Sequence, residues 1–128
     1  MAMAATVLVA LVALLHIYFM VLEMFFWDKP LGMKAFGNTQ AAATATKVLA
    51  ANQGLYNGFV AAGLLWGLWL GTGSMGTQIK VFFLICVITA GIYGAMTANK
   101  KILYVQALPG VISLALVLLA INKSQFAF

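Results

Sequence analysis

Charge is confined to a few short places in this chain, and that constrains its fold more than any other feature. No Asp, Glu, Lys or Arg occurs in residues 1–22, 48–79, 81–99 or 102–122. Each stretch approaches or exceeds the roughly 20 apolar residues that a spanning helix needs. Only 7% of the residues are charged, whereas a soluble domain carries about 25%. Nine charged side chains, seven basic and two acidic, cannot coat a water-facing globule of 128 residues. The composition excludes a disordered tail, a nucleic-acid-binding arm and an ordinary soluble domain, and it predicts an integral membrane protein.

The predicted fold class is all-α: one membrane domain, residues 1–128, forming a bundle of four transmembrane helices. The first span covers about residues 4–27 and stops at Asp28-Lys29-Pro30. Residues 28–38 read as a loop. Asn38 or Thr39 caps a helical lead-in over about 39–50, which feeds a second span over about 51–70. The run Gly71-Thr72-Gly73-Ser74-Met75-Gly76 breaks the chain. A third span covers about 79–98, and Asn99-Lys100-Lys101 turns it into a fourth over about 102–121, which Pro109 interrupts. Beta-barrel strands would need alternating rather than continuous apolar runs.

Lysine placement sets the expected orientation. Lys29, Lys34, Lys47, Lys100 and Lys101 fall on the side of loops one and three; Lys80 and Lys123 fall on the other. The excess puts loops one and three in the cytoplasm and both termini outside, in a bacterial inner membrane. The net charge of +5 is explained by anionic lipid headgroups and not by nucleic acid, because the lysines flank the apolar runs. Cys86 cannot form an internal disulfide, and a lone histidine with a lone cysteine gives no metal-ligand spacing.

Ionisable groups inside a bilayer cost about 2.5–3.5 kcal/mol on insertion scales, so they mark candidate sites. His16 and Glu23 are seven residues apart on one face of the first span, about 10 Å along its axis. The second span carries Asn52, Gln53, Tyr56 and Asn57, and the stripe Asn52, Tyr56, Gly63, Gly67 should leave space below its polar end. The third span aligns Cys86, Thr89, Tyr93 and Thr97; the fourth aligns Gln106, Gly110, Ser113 and Val117. All four spans therefore put polar groups at one depth, in the leaflet nearest loops one and three. This convergence predicts a polar pocket floored by His16. Asn52, Gln53, Asn57, Tyr93 and Gln106 would orient a ligand there, and Tyr56 would line it. The same groups can also serve only to bond headgroups or join helices. Gly54-x-x-x-Gly58 and Gly63-x-x-x-Gly67 are small-residue packing motifs, and Met20 and Met24 read as packing.

The segments His16-Ile17-Tyr18-Phe19-Met20-Val21-Leu22-Glu23-Met24, Leu49-Ala50-Ala51-Asn52-Gln53-Gly54-Leu55-Tyr56-Asn57-Gly58, Ala90-Gly91-Ile92-Tyr93-Gly94-Ala95 and Val105-Gln106-Ala107-Leu108-Pro109 carry a family resemblance. Together they resemble small bacterial membrane proteins catalogued as domain of unknown function 1304. The resemblance covers nearly the whole chain and implies a four-helix membrane fold, but no activity and no catalytic residues. One departure lies at residues 38–43, where Asn, Thr, Gln and Ala replace an acidic stretch of the family.

The leading functional expectation is an intramembrane site for a small lipophilic or amphipathic ligand. His16 and Glu23 are the proton carriers if the chain is an enzyme or a transporter. An enzyme would shift a proton on a lipophilic substrate; no cofactor is specified. A transporter would bind a proton and a substrate alternately at Glu23, within a homo-oligomer. The third alternative is a structural protein with no ligand.

Overall fold

The computed structural model describes residues 1–121, and the lysine at 123 used in the orientation argument lies outside them. The described residues form five α-helices and no strands: α1 (Ala2–Phe25), α2 (Pro30–Phe36), α3 (Gln40–Trp69), α4 (Ser74–Thr97) and α5 (Leu108–Leu119), with a π-helical turn, Leu103–Ala107, before α5. Two of them, Ala2–Phe25 and Ser74–Thr97, are long and apolar enough to cross a membrane by length and composition; Leu103–Leu119 is a shorter apolar helix.

Local chemistry accounts for most of the boundaries. The segment expected to be a loop contains α2, which starts with Pro30 in its first turn, where a missing N–H costs nothing. It ends where Gly37 adopts a left-handed φ of 68° and the Asn38 N–H returns to the Met33 carbonyl at 3.0 Å. Thr39 caps α3, its Oγ1 accepting the Ala42 N–H at 3.2 Å. The lead-in and second span form one continuous helix, because nothing between Gln40 and Trp69 breaks the backbone pattern. Gly71, with φ of 78°, makes the turn out of α3.

Pro109 does not interrupt the last helix. Its ring would collide with the carbonyl four residues back, at Val105. The preceding turn widens instead, and the Leu108 N–H bonds to Leu103 O, five residues away. The helix therefore continues through the proline.

The chain divides into two compact units. One comprises residues 1–13 and, among the described residues, 62–121. In it Val9, Val12, Leu64, Leu84, Val87 and Val117 are buried. Helix α4 approaches the π turn at Gly91, where an added Cβ would lie 2.7 Å from the Ala107 backbone nitrogen. Gln106 Nε2 donates to Val87 O at 3.2 Å across the same contact. Gly110 admits Val87 and Ile88 against α5.

The other unit, residues 14–61, holds the second half of α1, all of α2 and most of α3. Its buried residues include Leu22, Ala43 and Ala50. Gly54 and Gly58 let α3 press closely on α1: a Cβ at Gly54 would lie 2.7 Å from Met24 Cγ and 3.1 Å from Met20 O, and one at Gly58 would lie 2.8 Å from Met20 Sδ. The small-residue motif thus works as a packing surface, with the two methionines as its filler.

Candidate functional site

The close approach at Gly54 and Gly58 brings Asn57 of α3 to Glu23, near the end of α1. Asn57 Nδ2 donates to Glu23 Oε1 at 2.6 Å. Glu23 is 4% exposed, and it is not part of an ion pair among the described residues, where Lys47 joins Asp28 at 3.0 Å. A carboxyl group has thus been removed from solvent with a neutral amide as its partner. His16, two turns away on α1, is 1% exposed, and its ring meets Phe19 edge-on at 5.7 Å. At 1.5 Å per residue it stands about 10 Å from Glu23, so the two do not bond directly.

The remaining predicted site residues are each described within their own unit. Asn52 is exposed, and its Nδ2 donates to Val48 O on its own helix at 2.9 Å. Gln53 is exposed. Tyr56 is exposed and packs edge-on against Phe59 at 5.6 Å. Tyr93 is 68% exposed. Gln106 is half-buried and engaged with Val87 O. Along α4, Thr89 and Thr97 donate to Ile85 O and Tyr93 O, one turn back. The space expected along Gly63 and Gly67 is filled: the Phe83 ring lies against Gly63, and the Lys80 stem lies 2.6 Å from where a Cβ at Gly67 would be.

Beside Glu23 in sequence, the chain leaving α1 is tied down. Trp27 Nε1 donates to Thr46 Oγ1 at 3.0 Å, and its ring meets Phe36 at 4.9 Å. The Lys47 ammonium holds the Asp28 carboxyl below its usual pKa, and Lys29 adds to the effect. The stabilisation from this pair is complete above the ordinary aspartate value near 4, and it fades as pH falls through the lowered value. The pair is surface-exposed, so its effect is small. Acidification from pH 5 to pH 2 should lower the melting temperature of the wild type more than that of Asp28→Asn, measured in parallel; equal losses would mean the pair contributes nothing.

Thr77, Lys80 and Ser113 are also buried, and of these the sequence singles out only Ser113 as part of a polar face. Lys80 was placed among the interfacial lysines, yet it is 5% exposed and donates from Nζ to Gly71 O at 3.0 Å. Its position inside an apolar run, followed by nineteen uncharged residues, was the available signal. Ser113 Oγ is fully buried and makes no hydrogen bond among the described residues. The sequence had placed it on one face with Gly110 and Val117, and all three are buried. No three His, Cys, Asp or Glu side chains gather as a metal site among the described residues.

The model of a family described as "Protein of unknown function (DUF1304)" matches residues 10–118. A curated relative, the uncharacterized protein YpaA of Lactococcus lactis subsp. lactis (strain IL1403), is 32% identical over 119 residues, covering 91% of this chain and 97% of the relative. No solved structure matches the chain.

Proposed function

The chain belongs to the DUF1304 family, and from that premise we propose that it is an integral membrane protein in which Glu23, held by Asn57, is the ionisable centre of a small-molecule or lipid-like ligand site. The observation that carries this reading is the inverted distribution of polarity. His16, Glu23, Thr77, Lys80 and Ser113 are buried, while Val7, Leu11, Leu14, Phe82, Ile85, Val111, Ile112 and Leu119 are exposed. Water would penalise that arrangement at about 25 cal/mol per Å² of apolar surface, whereas lipid tails accept it. The apolar stretch of α3 and the helix formed by Leu103–Leu119 complete four spans. Loops one and three, with Lys29, Lys34, Lys47, Lys100 and Lys101, face the cytoplasm of a bacterial inner membrane.

Within such a bundle Glu23 is a costly residue to keep for packing alone. An apolar side chain would fill the same volume without the desolvation penalty of several kcal/mol. One carboxylate oxygen accepts from Asn57; the other is available to an amine, a hydroxyl or a proton. A small amphipathic molecule with such a group fits this chemistry, with His16 as a second polar contact deeper in the span.

Transport is the second reading. The exposed polar side chains of Gln53, Tyr56 and Tyr93 favour it, because a second copy of the chain would shield them from lipid. In that version Glu23 exchanges a proton for a cationic substrate.

Thermal unfolding of wild type, Glu23→Gln and His16→Ala in detergent tests the functional reading. Glutamine keeps an acceptor for Asn57, so Glu23→Gln should cost about 1 kcal/mol or less, while stabilisation by lipophilic amines is lost. A large loss of intrinsic stability in both variants would make the polar groups structural and reject the ligand site. Flux in proteoliposomes that vanishes with Glu23→Gln would select transport; undiminished flux would reject proton exchange at Glu23.

A further inference from the structure

Helix α3 is buried on one face and bare on the opposite one, and both faces repeat every seven residues. Ala43, Ala50 and Asn57 lie seven apart on the inward face, where Ala43 and Ala50 are buried and Asn57 meets Glu23. On the other side Ala41, Ala45, Val48, Asn52, Leu55 and Phe59 follow one another at steps of four and three, and each of them is exposed. All six belong to the unit of residues 14–61. In sequence the same spacing runs on through Ala62, Trp66 and Trp69. Alternating steps of four and three are the a and d positions of a heptad repeat, the seam along which two helices coil around each other.

The length and chemistry of the seam say what covers it. Thirty residues of α-helix are about 45 Å long, whereas the hydrocarbon of a bilayer is about 30 Å thick. The apolar stretch from about residue 51 onward occupies the hydrocarbon, so Ala41, Ala45 and Val48 stand at the headgroups and beyond. Lipid tails reach Leu55 and Phe59 but not those first turns. Asn52 lies between, and its amide is a poor neighbour for hydrocarbon. One cover must therefore match small, polar and apolar positions at a single spacing, from water into lipid. A second copy of α3 does so by identity. Copies inserted in one membrane share an orientation, and a twofold axis along the membrane normal sets their α3 helices parallel. The flanking positions, Thr44 and Ala51 on one side and Leu49 and Tyr56 on the other, carry no charge to repel a copy. Thr44 and Ala51 are also small enough for two backbones to approach closely. Lys47 lies off the seam and is paired with Asp28.

We propose that the seam of Ala41, Ala45, Val48, Asn52, Leu55 and Phe59 is the interface of a parallel homodimer, in which the Asn52 side chains of the two copies hydrogen-bond to each other across the axis. Asn52 Nδ2 donates one N–H to Val48 O at 2.9 Å, and the amide carries a second N–H and an acceptor oxygen. A polar a position of this kind fixes register, because a slipped pairing sets each amide against an apolar side chain. The dimer rests on the membrane reading above and not on the ligand site. Asn57 and Glu23 meet on the far side of α3, clear of the interface.

The experiment is cysteine crosslinking of the full chain in native membranes washed with alkaline carbonate. Cys86→Ser removes the native thiol, and single cysteines are then introduced one at a time from residue 44 to residue 56. After mild oxidation the band of twice the chain's mass should peak at Ala45→Cys, Val48→Cys, Asn52→Cys and Leu55→Cys. It should be several-fold weaker at Thr46→Cys and Gln53→Cys, which are exposed but off the seam. Monomer throughout makes lipid the cover and overturns the proposal. So do equal crosslinking along the helix, a maximum on another stripe, or crosslinks confined to a band of another mass. Should one seam variant fail to fold, the pattern over the remaining seam positions decides. Asn52→Ala should raise the dimer dissociation constant in detergent about three- to tenfold; an unchanged constant overturns the Asn52 pair. Glu23→Gln in the crosslinking background should dimerise as its parent does, which separates the interface from the ligand site. Release of the chain by the carbonate wash rejects the membrane reading and the dimer with it, whereas monomer in a chain that resists the wash rejects the dimer alone.

Discussion

Asn57→Leu should destabilise the protein by about 1–3 kcal/mol, and Glu23→Leu made in the same chain should restore most of that loss. Asn57 donates the hydrogen bond that Glu23 receives at 2.6 Å, and Glu23 has almost no contact with solvent. Removing the amide strands a buried carboxyl group, and the full desolvation cost then falls on the folded state. Removing both partners leaves two leucines at the interface of α1 and α3, which is close to neutral for packing. The double-mutant cycle, measured by reversible unfolding in mixed micelles, should give a coupling energy within the 0.5–3 kcal/mol seen for contacting polar pairs. Additive losses would mean that the two side chains do not act as a pair.

Gly91→Leu should be still more damaging to the fold, at about 3 kcal/mol or more, and Gly91→Ala should cost about 1–3 kcal/mol. The atoms an added Cβ would meet are the Ala107 nitrogen at 2.7 Å, its Cβ at 2.9 Å and its Cα at 3.0 Å. Backbone cannot swing aside as a side-chain tip can. The π turn would have to move off α4, and the Gln106 to Val87 hydrogen bond would break with it. Gly58→Ala is the control. Its Cβ would meet Met20 Sδ at 2.8 Å, the flexible part of a side chain that re-packs at little cost. Hydrogen exchange over residues 103–107 should accelerate in Gly91→Ala and stay unchanged in Gly58→Ala. Similar behaviour of the two variants would contradict the packing assigned to the π turn.

The helical class was legible because charge and periodicity carry it. Continuous apolar runs between short polar breaks admit few alternatives, and Thr39, Gly37 and Gly71 mark ends by chemistry that is local in sequence. Short-range competition is harder to see. The helix of Pro30–Phe36 fell in a stretch rich in Gly and Lys, where composition suggested a loop, although Pro30 and Gly37 bracket it as start and stop. Pro109 looked like an interruption because a sequence does not reveal that the turn before it can widen by one residue.

The candidate site was legible in part. Helical spacing put Glu23 and Asn57 at one depth, and they meet. Spacing fixes which face a side chain occupies on its own helix but not what lies opposite. Asn52, Thr89 and Thr97 satisfy themselves on carbonyls one turn back, an option open to short polar side chains on any helix. Gly63 and Gly67 suggested open space, but a missing side chain equally admits a neighbour, and Phe83 and Lys80 take the room. That same accommodation hides Lys80, whose charge at the edge of an apolar run resembled an interfacial anchor.

Chemical modification of carboxyl groups in native membranes, located by peptide mass spectrometry, tests most directly whether Glu23 lies in a ligand site within the bilayer. Two carboxyl side chains exist to be compared. A lipid-soluble carbodiimide should add its mass at Glu23, more slowly when a bound amine occupies the site, while a water-soluble carbodiimide should modify Asp28 alone. Glu23 untouched by the lipid-soluble reagent, or modified as readily as Asp28 by the water-soluble one, would contradict the account.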